Sequence, residues 1–132
     1  MTIARIPLTT LLRLDALACA VMGAGLALGA GPLARLTALP EGLLIGAGVA
    51  LLPVAAFIVL VARGTIPLRT GARMVVLGNL GWVLASLGLL ASGWGAPNAL
   101  GQGFVAVQAL AVAALAALEH RALGREACAA AT

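Results

Sequence analysis

Long apolar runs alternate with short polar interruptions along this chain, and the length of each run limits what it can be. No charged residue occurs from Ala16 to Ala34. As an α-helix that stretch rises about 28 Å, close to the roughly 30 Å hydrocarbon core of a bilayer. With the residues leading into it, it predicts a first span over about 9–34. A second uncharged run, Gly42 to Ala62, predicts a span over 42–62. After Arg73 the next charged residue is Glu119, which is too long for one crossing. The segment Ser92-Gly93-Trp94-Gly95-Ala96-Pro97-Asn98 divides it, because Gly, Pro and Asn together mark a turn. The third and fourth spans then cover about 74–91 and 99–118. The apolar residues are continuous and do not alternate with period two, and in lipid only helices or closed barrels satisfy every backbone group. The pattern therefore predicts an all-α polytopic membrane protein: one four-transmembrane-helix bundle over 1–132 with short connections.

Composition sharpens this reading. The chain has 132 residues, 63% of them apolar and 9% charged. A soluble domain is about 45–50% apolar and about 25% charged. A chain this small has too little interior to hide so much apolar surface from water. A soluble enzyme, a zinc module and a disordered tail are excluded as classes.

The sparse charges give the threading. All eight basic residues are arginines, and the net charge is +4. Arg5, Arg13, Arg63, Arg69, Arg73, Arg121 and Arg125 fall on one side if both termini are inside, and only Arg35 falls on the other. The positive-inside rule then predicts a multi-pass membrane protein with both termini cytoplasmic, N-in and C-in, with Trp94 in the outer interface. Nucleic acid is not an expected partner, since no basic patch is interleaved with stacking aromatics and the chain has no tyrosine. The expected partners are membrane lipids, a second copy of the chain or other subunits of a membrane complex. The first span is longer than a signal-peptide core and carries Asp15 near its start, so it is expected to be retained. No lipidation box is present at Met1-Thr2.

Against this apolar background the few polar residues are the candidates for chemistry. Asp15 enters the membrane just after Arg13, and a carboxylate there is costly unless paired or near water. Arg69, Arg73, His120 and Arg121 are candidate partners on the same side. An interfacial ion pair is one reading of Asp15; a proton- or cation-coupling carboxylate at the mouth of a cavity is the other. Asp15, Cys19 and Met22 follow i, i+4, i+7 and share a face. In the second hairpin Asn79, Trp82 and Ser86 share a stripe, and Gln108 and Glu119 lie on a stripe of the fourth span. Folding the hairpin at residue 95 or 96 brings Gln108 level with Trp82 and Val83. Asn79, Trp82, Ser86 and Gln108 then form either an interhelical clasp or a small polar pocket for a ligand headgroup or quinone ring.

Gly25 and Gly29, and Gly42 and Gly46, form G-x-x-x-G pairs suited to helix packing, within the bundle or between copies. Pro53 predicts a kink in the second span. His120 reads as an interfacial anchor, and one histidine without a second ligand holds no metal. Cys19 and Cys128 belong to no metal or redox constellation. No cofactor, metal site or catalytic residue is expected, and no nucleophile–base set, P-loop or dinucleotide fingerprint is present.

Leu12-Arg13-Leu14-Asp15-Ala16 opens the first span, and Gly31-Pro32-Leu33-Ala34 with Leu39-Pro40 closes it. Gly78-Asn79, Trp82-Val83 and Ser86 follow in the third span, then Gln108-Ala109-Leu110-Ala111-Val112 and Leu118-Glu119 in the fourth. In this order of elements the chain resembles small four-helix bacterial integral membrane proteins of the DoxX-like kind. The resemblance implies a four-helix membrane fold, and for some such proteins a link to quinone-dependent sulfur oxidation. No residue of a catalytic motif matches, so none is carried over. The leading expectation is a non-enzymatic inner-membrane protein with a structural, accessory or lipid- or quinone-type ligand-binding role. The alternative is a proton-coupled small-molecule transporter using Asp15.

Overall fold

The computed structural model describes residues 5–131. Met1 and Thr2, on which the lipidation expectation rests, lie outside the described residues. The chain folds into five helices: α1 (Leu8–Leu28), α2 (Ala30–Thr37), α3 (Glu41–Ala62), α4 (Leu68–Ser92) and α5 (Ala99–Ala131). No strand occurs among the described residues. α1, α3, α4 and α5 are each long and apolar enough to cross a membrane.

The first span is shorter than its apolar run. It ends at Leu28, and the chain restarts as the eight-residue α2. Pro32 is the cause. Its missing N–H and its ring would both conflict with the Leu28 carbonyl in a continuous helix. The break falls at Gly29, where φ is −101° and ψ is 15°. Pro53 acts differently: the helical stretch of α3 runs unbroken through it from Glu41 to Ala62. α4 begins before its expected start and ends at Gly93, whose φ of 65° is the left-handed conformation that commonly stops a helix. α5 continues past Leu118 to Ala131. Its 33 residues reach about 50 Å, more than one hydrocarbon core.

The helices associate as two pairs, α1 with α3 and α4 with α5, and the pairs meet mainly at their two ends. At one end Leu8, Leu11 and Leu12 of α1 are buried in the core, as are Ala72 of α4 and Ala122 and Leu123 of α5. The Arg125 guanidinium also donates to the Ile6 carbonyl at 2.8 Å. At the opposite end the Asn98 side chain donates to the Leu36 carbonyl at 2.8 Å, and its backbone N–H donates to the Thr37 carbonyl at 3.1 Å. Gly101 lies so close to the Thr37 carbonyl that a Cβ there would collide with it. The outer surface carries Leu17, Val21, Leu77, Leu84, Val107 and Leu110, all exposed. This apolar exterior suits lipid.

The glycines that bring helices together are not the ones in the G-x-x-x-G pairs. A Cβ added to Gly25, Gly42 or Gly46 would meet nothing within 4 Å, and one on Gly29 would meet chiefly its own helix at the Gly25 carbonyl. Packing inside the bundle is therefore not their role. The close approach of α1 and α3 falls at Gly23 and Gly48. A Cβ on Gly48 would stand 2.6 Å from the Gly23 carbonyl oxygen and 2.6 Å from the Ala27 backbone nitrogen. Facing backbones can come this near only where neither residue has a side chain. Gly48→Ala is expected to lower the thermal midpoint in detergent by forcing the helices apart, at about 1–3 kcal/mol. Gly46→Ala should leave it unchanged or raise it, since Ala favours helix and meets nothing there. Equal midpoints for the two variants would show that the Gly23–Gly48 crossing is not a close contact.

Candidate functional site

Three helices each contribute one polar side chain to a single buried cluster. Asp15 of α1 is 2% exposed, Asn79 of α4 is 7% exposed and Glu119 of α5 is 0% exposed. The Asn79 amide nitrogen donates to Asp15 Oδ2 at 2.8 Å and to Glu119 Oε2 at 3.1 Å. An amide NH2 has two hydrogens, so each carboxyl receives one. One turn along α1 the Cys19 thiol lies 3.6 Å from Asp15 Oδ1 and donates to it. Glu119 Oε1 is buried with no hydrogen-bond partner.

The sequence supplies each member for a local reason. Asp15 and Cys19 stand on one helix face at i, i+4. Asn79 and Glu119 sit on antiparallel helices, and side chains of a helix lean toward its N-terminus. Asn79 therefore leans toward the end of the bundle where Glu119 lies, and Glu119 leans back toward Asn79. That lean closes an axial offset that level matching of the hairpin leaves open. In sequence Glu119 falls on the Gln108 stripe, and its charge marks the end of the predicted fourth span near residue 118. The spacing of Gln108, Val112, Leu115 and Glu119 at i, i+4, i+7, i+11 is the signal that places it on the inner face of a longer helix.

The expected arginine partners of Asp15 do not reach it. Arg69, Arg73, His120 and Arg121 are all exposed, and among the described residues Asp15 is bonded by Asn79 and Cys19 instead. Two carboxyls thus share one neutral amide in a dry interior. Two uncompensated negative charges at this separation in low dielectric would be strongly unfavourable. Among the described residues no group of three or more His, Cys, Asp or Glu is placed to hold a metal ion.

The other polar residues form a second, separate group. Trp82 Nε1 donates to Gln108 Oε1 at 2.6 Å, and Gln108 Nε2 donates to Ser86 Oγ at 2.9 Å and to the Val105 carbonyl at 3.0 Å. The Ser86 hydroxyl donates to the Trp82 carbonyl at 2.8 Å. This is the interhelical clasp expected from the hairpin, but without Asn79, which turns to the carboxyls.

Two cavities flank the clasp. The larger, about 1110 Å³, lies between the helix pairs and is lined by Asp15, Cys19 and Asn79 at its polar end. Apart from Trp82 and Gln108 its remaining wall is apolar and includes both phenylalanines of the chain, Phe57 and Phe104. Val54, Met74, Leu100 and Val107 of its lining are exposed on the apolar outer surface, so the cavity opens on the flank of the bundle. The smaller, about 410 Å³, reaches from Ser86 to Trp94 at the far turn. Met22, Trp82, Phe104 and Gln108 line both, so the Trp82–Gln108 bond stands between them.

The two groups differ in what they cost to disrupt. Asn79→Leu leaves two buried carboxyls without their donor and is expected to destabilise the protein by about 2–4 kcal/mol in detergent unfolding. Between Trp82→Phe and Gln108→Leu a double-mutant cycle should give a coupling of about 0.6–1.7 kcal/mol, the range for interhelical bonds in membranes. A larger effect from the clasp than from Asn79 would reverse the assignment. No family model, no curated protein and no solved structure matches the chain.

Proposed function

We propose that the protein is a small proton-coupled carrier of the cytoplasmic membrane, both termini cytoplasmic, in which Asp15 and Glu119 take up the coupling proton. The observation that carries this reading is the shared amide. Two buried carboxyls from different helices meet on Asn79 at 2.8 and 3.1 Å, and one of them forms the wall of a membrane-embedded cavity. Buried carboxyls inside a bilayer are costly and mark ion or proton pathways. A purely structural tie would need only one acid and one amide. A second acid adds one hydrogen bond, from Asn79 to Glu119 Oε2, at the cost of burying another carboxyl whose Oε1 has no partner. Proton release relocates charge onto the pair, and the helices contributing it belong to different pairs, so occupancy of the site is felt where the pairs meet.

Orientation rests on the arginines. The seven on one side include Arg125, which also ties α5 to the start of α1 through Ile6. The acid cluster then lies nearer the cytoplasmic end and the smaller cavity nearer the outside.

Vesicles reconstituted with the protein and loaded with a pH-sensitive dye test the reading against a panel of cationic, neutral and anionic amphiphiles. At least one class should drive proton flux that Asp15→Asn and Glu119→Gln abolish at unchanged protein level. Flux of equal size in both variants, or no flux with any class, contradicts it.

One observation favours a second reading. The large cavity is mostly apolar and opens to lipid, as a site for a lipid or quinone-type ligand would. In that accessory role the exposed Gly25, Gly42 and Gly46 are free to meet another membrane helix. Native mass spectrometry of protein extracted in mild detergent separates the two. A retained isoprenoid or lipid that survives Asp15→Asn supports the accessory role over the carrier.

A further inference from the structure

We infer that the ligand of the large cavity is a lipophilic organic monocation, a protonated amine or quaternary centre on an apolar body, which enters from the bilayer and exchanges with the proton of the acid pair. This rests on the carrier reading above and adds the substrate class.

The size of the cavity sets the first limit. About 1110 Å³ is slightly above the roughly 300–1,000 Å³ typical of small-molecule sites, so a bulky drug-sized body fits. Its chemistry sets the second. Among the described residues Asp15 is the only charged residue of the lining, and no arginine or histidine contributes. An anion would find donors there only on Asn79, Trp82, Gln108 and Cys19, and each of these already donates within the protein. A neutral body would leave the carboxyl pair as it was. A cation supplies what the pair lacks.

Glu119 stands behind the cavity wall, joined to the lining through Asn79. It is fully buried, yet Oε1 has no partner. The groups facing this site from the elements around it are Asp15 and Cys19 of α1, Asn79 of α4 and Glu119 of α5. α3 brings none, because its one charged residue, Glu41, stands at its opposite end. Aromatic rings complete the setting. Phe57, Trp82 and Phe104 line the same cavity, and a desolvated cation gains from ring faces. Entry is lateral, past the exposed rim residues Val54, Leu100 and Val107. A lipophilic cation concentrates in the membrane and needs no aqueous mouth.

The exchange balances without any further reactant. The proton shared by the carboxyls leaves as the cation arrives, no covalent bond of the ligand changes, and the net charge of the site is the same before and after.

Equilibrium dialysis of the full chain in lipid nanodiscs tests this with three probes of like shape: tetraphenylphosphonium, tetraphenylborate and uncharged tetraphenylsilane. The cation should bind, with one proton released per ion bound. Its affinity should fall at least tenfold in Asp15→Asn, and should weaken toward acid pH as protons compete for the pair. Gly103→Leu adds bulk to the cavity lining at a position where an added Cβ meets nothing within 4 Å, and an unchanged thermal midpoint checks that the fold is kept. The substitution should remove binding of the cation while leaving the acid cluster intact. Tetraphenylsilane or tetraphenylborate binding as tightly as the cation overturns the monocation inference and leaves the carrier reading standing. Cation binding that is unchanged in Gly103→Leu overturns the cavity as its site. Failure of all three probes to bind, together with absence of proton flux in vesicles, overturns both.

Discussion

Burial of two carboxyls on one amide is the constraint on which the rest of this molecule depends. Asp15, Asn79 and Glu119 come from three helices, and each arrives with a large desolvation cost. That cost is tolerable only if the helices hold their relative depth and rotation, since a slip of one turn moves a carboxyl about 5.4 Å. The cluster thus fixes register between the two helix pairs, which otherwise touch mainly at their ends. It also makes the interior sensitive to charge. Adding or removing one proton or cation changes the electrostatic balance at the place where α1, α4 and α5 converge.

The apolar architecture makes room for that sensitivity. α1 and α3 are locked together by the Gly23–Gly48 contact, where backbone meets backbone. α4 and α5 are joined by a tight turn and by the Trp82–Gln108–Ser86 clasp. Each pair is closely knit, while the space between them is not filled. In water such a gap would collapse or flood. In a bilayer the acyl chains offer no hydrophobic drive to close it. The result is a cavity between two stiff units, with an acid cluster at one end and a hydrogen-bonded partition toward the other.

Much of this was legible in the chain. Four membrane-length helices followed from the uncharged runs, and the far turn followed from Gly93, Gly95, Pro97 and Asn98. The level of Gln108 with Trp82 followed from counting residues outward from that turn. What was not legible has physical causes. Pro32 converts the end of the first apolar run into a separate helix, a break that hydropathy alone does not register. The G-x-x-x-G spacing pointed to Gly25, Gly29, Gly42 and Gly46, but packing depends on which face meets a partner, and here Gly23 and Gly48 share that face. Glu119 was hidden by its own charge. A carboxyl near the end of an apolar run reads as the edge of the membrane, and only the continuation of α5 to Ala131 puts it inside. Asp15 was singled out for its cost in lipid, yet the nearby arginines drew attention away from an amide more than sixty residues along the chain.

The central claim is that Asp15 and Glu119 act as one unit through Asn79. Infrared difference spectroscopy across a pH change, on protein in lipid with carboxyl-labelled Asp or Glu, measures this most directly. The account predicts one proton exchanged by the pair, with the Glu119 carboxyl band altered by Asp15→Asn and the coupling lost in Asn79→Leu. A Glu119 band indifferent to both substitutions would contradict it.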